Sequence, residues 1–95
     1  MAVAVELDFN GATLEQYDQV IAKMGFEPGG KGAPGGMFHW VTQTPGGIHV
    51  CDVWESREQF DKFAQDQIGP ITAEVGVPEQ PTVTFREVHN YLFAG

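Results

Sequence analysis

The chain has 95 residues, with five Lys and Arg against thirteen Asp and Glu for a formal charge of −8. It therefore lacks the clustered cations that nucleic acid or an anionic membrane surface requires of a partner. Hydrophobic residues make up 42% of it, enough for the core of a single domain over 1–95, yet no run approaches the ~20 apolar residues of a membrane span. A lone cysteine, Cys51, and an N-terminal MAVAVELDF with neither a basic nor a long apolar signal region lead to the expectation of a cytoplasmic protein.

Val3, Val5, Leu7 and Phe9 alternate with Ala4, Glu6 and Asp8, the period of a strand with one apolar face, which should hold the helices. Next comes Thr13-Leu-Glu-Gln-Tyr-Asp-Gln-Val20, which reappears in altered form as Ser56-Arg-Glu-Gln-Phe-Asp-Lys-Phe63. Each copy opens with a hydroxyl residue followed three positions on by glutamine, a capping-box signature, so each starts an amphipathic helix. The first runs from Thr13 to about Met24, with Leu14, Tyr17, Val20, Ile21 and Met24 on one stripe and Gly25 as its stop. Pro28 to Gly36 holds five of the twelve glycines and is expected to be a loose connection, either a plain linker or a cover for a pocket mouth.

Strands are expected over Met37 to Thr44 and Ile48 to Glu55, joined by a turn at Pro45-Gly46-Gly47. The second helix runs from Ser56 to about Ile68, where Gly69-Pro70 should interrupt it and Ile71 to Val75 adds one more turn. Pro78 and Pro81 keep the approach to a last strand, Thr82 to Leu92, extended. The order is β-α-β-β-α-β, so the fold class is α+β: a ferredoxin-like antiparallel sheet with two helices on one face.

Hairpin parity divides the side chains into two sets. His39 and Val41 share a face with Val50, Asp52 and Trp54, while Phe38, Trp40 and Thr42 share the other with His49, Cys51 and Val53. The second set is the more apolar and is assigned to the helix-packed core; the first goes to the opposite face with Glu6 and Asp8. A four-residue turn puts His39 across from Asp52, and a two-residue turn puts it across from Trp54. A carboxylate beside an imidazole suits acid or base work, so His39 is the candidate catalytic group and Asp52 its orienting partner. Trp54, Val41 and Val50 are candidate substrate-binding residues, with His89 and Tyr91 as further polar anchors. The three histidines have no tight ligand spacing and there is no cysteine pair, so no metal is expected. Leaving the Trp54 face in water is unfavourable, and pairing with a second copy would enclose it as a cavity.

Phe38-His-Trp-Val, the run from Val50 through Trp54-Glu-Ser to Phe63, Ile68-Gly-Pro70 and Val88-His-Asn-Tyr-Leu92 together resemble the dimeric α/β-barrel superfamily, in particular small proteins grouped with the antibiotic biosynthesis monooxygenases. The resemblance implies a homodimer whose sheets pack into a barrel, with a pocket for a hydrophobic or aromatic small molecule. Some relatives oxidise polyketide aromatics without cofactor, others cyclise or isomerise, and others degrade haem. Here Val50 stands where the first group has Asn, and Arg57 to Ile68 has no histidine to ligate iron. The reading is a cofactor-independent, monooxygenase-like enzyme acting on a hydrophobic or aromatic substrate. The alternatives are a cyclase or isomerase using the His39 and Asp52 pair, and a ligand-binding protein without turnover.

Overall fold

The computed structural model describes residues 2–92. Four strands, β1 (Val3–Asn10), β2 (Gly36–Thr44), β3 (Gly47–Trp54) and β4 (Thr82–Glu87), form one antiparallel sheet in the order β2-β3-β1-β4. Helix α1 (Leu14–Met24) follows β1, and α2 (Arg57–Phe63), a π-helical turn over Ala64–Ile68 and α3 (Gly69–Val75) follow β3. This is the ferredoxin-like arrangement expected from the repeat, the protomer architecture that the resemblance implies. No helix among the described residues is long and apolar enough to cross a membrane.

Both helix starts form as their sequences dictate. Thr13 accepts from the Gln16 N–H while the Gln16 side chain accepts from the Thr13 N–H, which satisfies two otherwise orphaned donors. At Ser56 only half of the box closes: its Oγ accepts from the Gln59 N–H, but the Gln59 side chain turns to the Ser56 hydroxyl and to Glu55. Gly25 ends α1 in the left-handed region at φ 86°, where a side chain would be strained.

The Gly69-Pro70 pair does not break the second helix. The Gly69 N–H reaches the Ala64 carbonyl, a five-residue step that opens one wide turn, and Pro70 falls in the first turn of α3, the part of a helix that best tolerates a missing N–H. The last strand is shorter than expected, ending at Glu87. Val3 pairs with Glu87 and the Val88 N–H donates to the Ala2 carbonyl, the last contact of this ladder among the described residues. The Phe93 end of the apolar terminus lies outside the described residues.

The face assignment of the hairpin is reversed relative to the sequence expectation. Val5 lies opposite Asp52, Leu7 opposite Val50 and Phe9 opposite Ile48, so the apolar face of β1 shares its side of the sheet with Val50, Asp52, Trp54 and, across β3, His39 and Val41. That side carries the helices: Val5, Leu7, Phe9, Ile48, Val50, Trp54 and Phe60 are buried together, with Tyr17, Phe63 and Ile68 packed against them. The other set stands opposite Glu6 and Asp8, since Cys51 pairs with Glu6 and His49 with Asp8. Charged Glu6 and Asp8 cannot go beneath a helix layer without large desolvation cost, and the register carries their neighbours with them to the helix-free side. Phe38 and Trp40 are accordingly exposed.

Candidate active site

Three elements converge on one hydrogen-bonded chain of side chains. Tyr17 comes from α1, one turn beyond the Thr13 cap, and Gln16 ties that turn to the Gly76 carbonyl at the end of α3. His39 comes from β2 and Asp52 from β3, directly opposite one another across the Thr44-Pro45-Gly46-Gly47 turn. The register is the one expected of a four-residue turn, yet Thr44 pairs with Gly47 and only Pro45-Gly46 lies between the strands, with Gly47 indispensable because a Cβ there would lie 1.9 Å from the Phe9 carbonyl oxygen.

The Tyr17 hydroxyl lies 2.5 Å from His39 Nε2, and His39 Nδ1 lies 2.5 Å from Asp52 Oδ1. The second Asp52 oxygen, Oδ2, accepts from the Trp54 indole N–H at 3.1 Å. An ionised carboxylate only accepts, so His39 must carry its proton on Nδ1; in the neutral imidazole Nε2 is then bare, and Tyr17 donates to it. Asp52 is only 6% exposed, and the two hydrogen bonds it accepts are what make a buried carboxylate tolerable. Burial, then the charges of Asp52 and Asp18, pushes the Tyr17 phenol up to about 12, so it stays protonated at neutral pH.

This chain of groups opens onto a cavity of about 820 Å³ between the sheet and α1, lined by Tyr17, His39 and Asp52 and by apolar side chains such as Leu7, Val20 and Val50. The glycine-rich loop over 26–35 forms part of its wall. It is held in place at its far end, where the Gly35 carbonyl accepts from the Glu55 N–H and Ala33 packs on the core. Of the two alternatives for that segment, the pocket cover is the one it adopts.

Among the residues singled out in the sequence, His39, Asp52, Trp54 and Val50 line this cavity. They do so on the helix side of the sheet, and not on the opposite face where parity and hydropathy put them. Val41 shares that side and packs on the core beside Val50. Trp54 is 3% exposed and wedged against Phe60 and Phe63, so it is a core residue with its N–H spent on Asp52. His89 and Tyr91 are not brought to the cavity: His89 is exposed beyond the end of β4, and the Tyr91 hydroxyl donates to the Met37 carbonyl at 3.2 Å. With β4 ending at Glu87, no ladder remains to aim them inward.

Tyr17 is the member that sequence reasoning missed. Its signal was present as a phenol in the middle of the Leu14, Val20, Ile21, Met24 stripe, a polar tip on a face that packs toward the sheet. Cys51, expected within the apolar core, lies on the helix-free side, where burial and then the charges of Glu6 and Asp52 push its thiol up. His49 on that side is paired with Asp8 at 2.7 Å, and Arg86 with Glu6 at 2.6 Å.

No family model and no curated protein matches the chain. A solved structure of a monooxygenase from the gene ActVA-Orf6 of Streptomyces coelicolor, in complex with nanaomycin D, is similar over 99% of this chain and 92% of that one, at 17% identity and a TM-score of 0.49.

Proposed function

We propose that the cavity between the sheet and the helices takes a small, mostly apolar organic molecule, aromatic by preference, and that the protein acts on it as an enzyme by removing a proton. The observation that carries this reading is the hydrogen-bonded series from Tyr17 through His39 to Asp52, running from the cavity wall to a buried carboxylate. A proton leaving the substrate for the Tyr17 oxygen is matched by the Tyr17 proton moving to His39 Nε2. The imidazolium that results faces the Asp52 carboxylate, which stabilises the charge as it forms. His39 is thus the base, Asp52 its orienting partner, and Tyr17 the group that meets the substrate.

The proton step calls on no group beyond these side chains, in keeping with a cofactor-independent reaction. Oxidation of an aromatic substrate by dioxygen is the first reaction class, and cyclisation or isomerisation the second, because both start from a substrate anion. A carrier without turnover would use the same cavity and leave His39 idle.

The test is deuterium incorporation into the ring carbons of 1,3-dihydroxynaphthalene in D2O under nitrogen, followed by mass spectrometry and then repeated in air. The wild-type protein is expected to accelerate exchange, and His39→Gln and Asp52→Asn to slow it by ~10²- to 10⁴-fold, the usual range for a lost acid-base group. Gain of oxygen mass in air selects oxidation; rearrangement at constant composition selects the second class. A bound ligand without any exchange means a carrier.

We also infer a homodimer formed through the helix-free face. Phe38 and Trp40, 54% and 43% exposed, flank a strip of paired charges there, and a second copy would remove both aromatics from water. A single unpaired cysteine suits work in the cytoplasm.

A further inference from the structure

Four of the five lysines and arginines are held by a carboxylate: Lys23 by Glu74 at 3.2 Å, Arg57 by Asp61 at 3.7 Å, Lys62 by Asp66 at 4.0 Å and Arg86 by Glu6 at 2.6 Å. Lys31 is the exception. Among the described residues it pairs with no carboxylate, although Asp18 and Glu27 border the same cavity, and it is the one lysine or arginine that lines that cavity. In a chain of charge −8, an unpaired cation at the edge of an apolar cavity is placed for an anion that comes from outside.

The segment that carries Lys31 is anchored at its two ends. At one, the Phe26 N–H donates to the Ile21 carbonyl at 3.1 Å and the Phe26 ring stacks on Phe63. At the other, Ala33 packs on the core and the Gly35 carbonyl accepts from the Glu55 N–H. Over 27–32, among the described residues, the backbone makes one hydrogen bond to other backbone, from the Gly30 N–H to the Glu27 carbonyl, and it is internal to the stretch. Nothing packs where a Cβ would stand at Gly29 or Gly32. This stretch can therefore swing toward the cavity without breaking a backbone bond to the sheet or the helices, and Lys31 swings with it.

From this we propose that Lys31 is a ligand-binding residue, and that the stretch over 27–32 closes as a flap when the cavity holds an apolar molecule bearing a carboxylate, which the Lys31 ammonium meets. The proposal rests on the reading of the cavity as the substrate site and adds the charge that the substrate carries. Asp18 and Glu27 repel the same anion, so the flap is where along the rim it gains. A neutral molecule of the same shape gives Lys31 nothing in exchange for its hydration, and the flap then stays open.

The experiment is limited proteolysis with trypsin, which cuts after lysine and arginine. Lys31 is the one such residue in an irregular segment, the others lying in α1, α2 and β4, so the free protein is expected to be cut first between Lys31 and Gly32. Saturating 2-naphthoate is expected to slow that cut at least ~10-fold, because cleavage follows the population of the open form. Its neutral isostere 2-naphthamide, at matched occupancy by titration calorimetry, is expected to leave the rate unchanged. Lys31→Gln is expected to weaken naphthoate binding ~3- to 10-fold, the scale of one charge-assisted hydrogen bond at a partly open site, and to leave naphthamide binding as it was. Equal protection by both ligands overturns the role of Lys31. A free protein that resists the cut, protection by neither bound ligand, or binding of naphthamide without naphthoate overturns the proposal, and each leaves the cavity reading intact. Binding of neither ligand overturns the cavity reading, and this proposal with it.

Discussion

Tyr17 links the site's chemistry to a titration that can be followed without a substrate. Its phenol is pushed from 10.0 to about 12 by burial and by the charges of Asp52 and Asp18. Between those values the unfolded chain has released this proton and the folded chain has kept it, so the unfolded state binds fewer protons and stability falls as pH rises. The contribution is complete below pH 10 and gone above about 12. Near-ultraviolet phenolate absorbance is expected to show a late step that Tyr17→Phe removes, and Asp52→Asn is expected to bring that step to lower pH by deleting a charge that raises it. A Tyr17 step at the ordinary position would mean an exposed phenol and no enclosed site.

Elements were read with uneven success, and the reasons differ. The capping boxes at Thr13 and Ser56 are local, needing only residues three positions apart, and both helix starts form where they predict. Thr13→Ala and Ser56→Ala are each expected to cost ~1 kcal/mol in urea denaturation, because each deletes the hydroxyl oxygen that accepts an N–H of the first turn. An unchanged midpoint at either position would show that its cap contributes nothing. The Gly69-Pro70 interruption was misread as a break because a wide turn that absorbs a proline depends on the helices it packs against, and α1 is joined to α3 by Lys23 and Glu74 at 3.2 Å. The length of β4 was misread because it is set by pairing with β1, which stops at Val3 opposite Glu87, and β1 is far away in sequence.

At the scale of the whole molecule, the helix-free face is where a second copy would act. Trp40 is 43% exposed in the middle of the edge strand β2, with His49 against its ring at 5.6 Å. Trp40→Glu would add a charge to a face already carrying Glu6 and Asp8, and is expected to turn a dimer into a monomer in sedimentation velocity at micromolar concentration, with the helix content unchanged by circular dichroism. A wild-type monomer under the same conditions would overturn the homodimer. Because the cavity lies on the other side of the sheet, it would survive that outcome, whereas the sequence reading tied cavity and dimer together.

Sequence alone determined the element order, the helix caps, the ferredoxin-like class and the nearness of His39, Asp52 and Trp54, because each follows from periodicity and from pairing across a short turn. It also determined that Val5, Leu7 and Phe9 face the helices. Which side of the hairpin joins them was decided only by the tertiary register of β1 against β3, a contact between distant segments to which hairpin parity is blind. Tyr17 entered the site by the same route: its place over His39 depends on how α1 lies across the sheet, and a single helix stripe does not distinguish a phenol that packs from one that carries a proton.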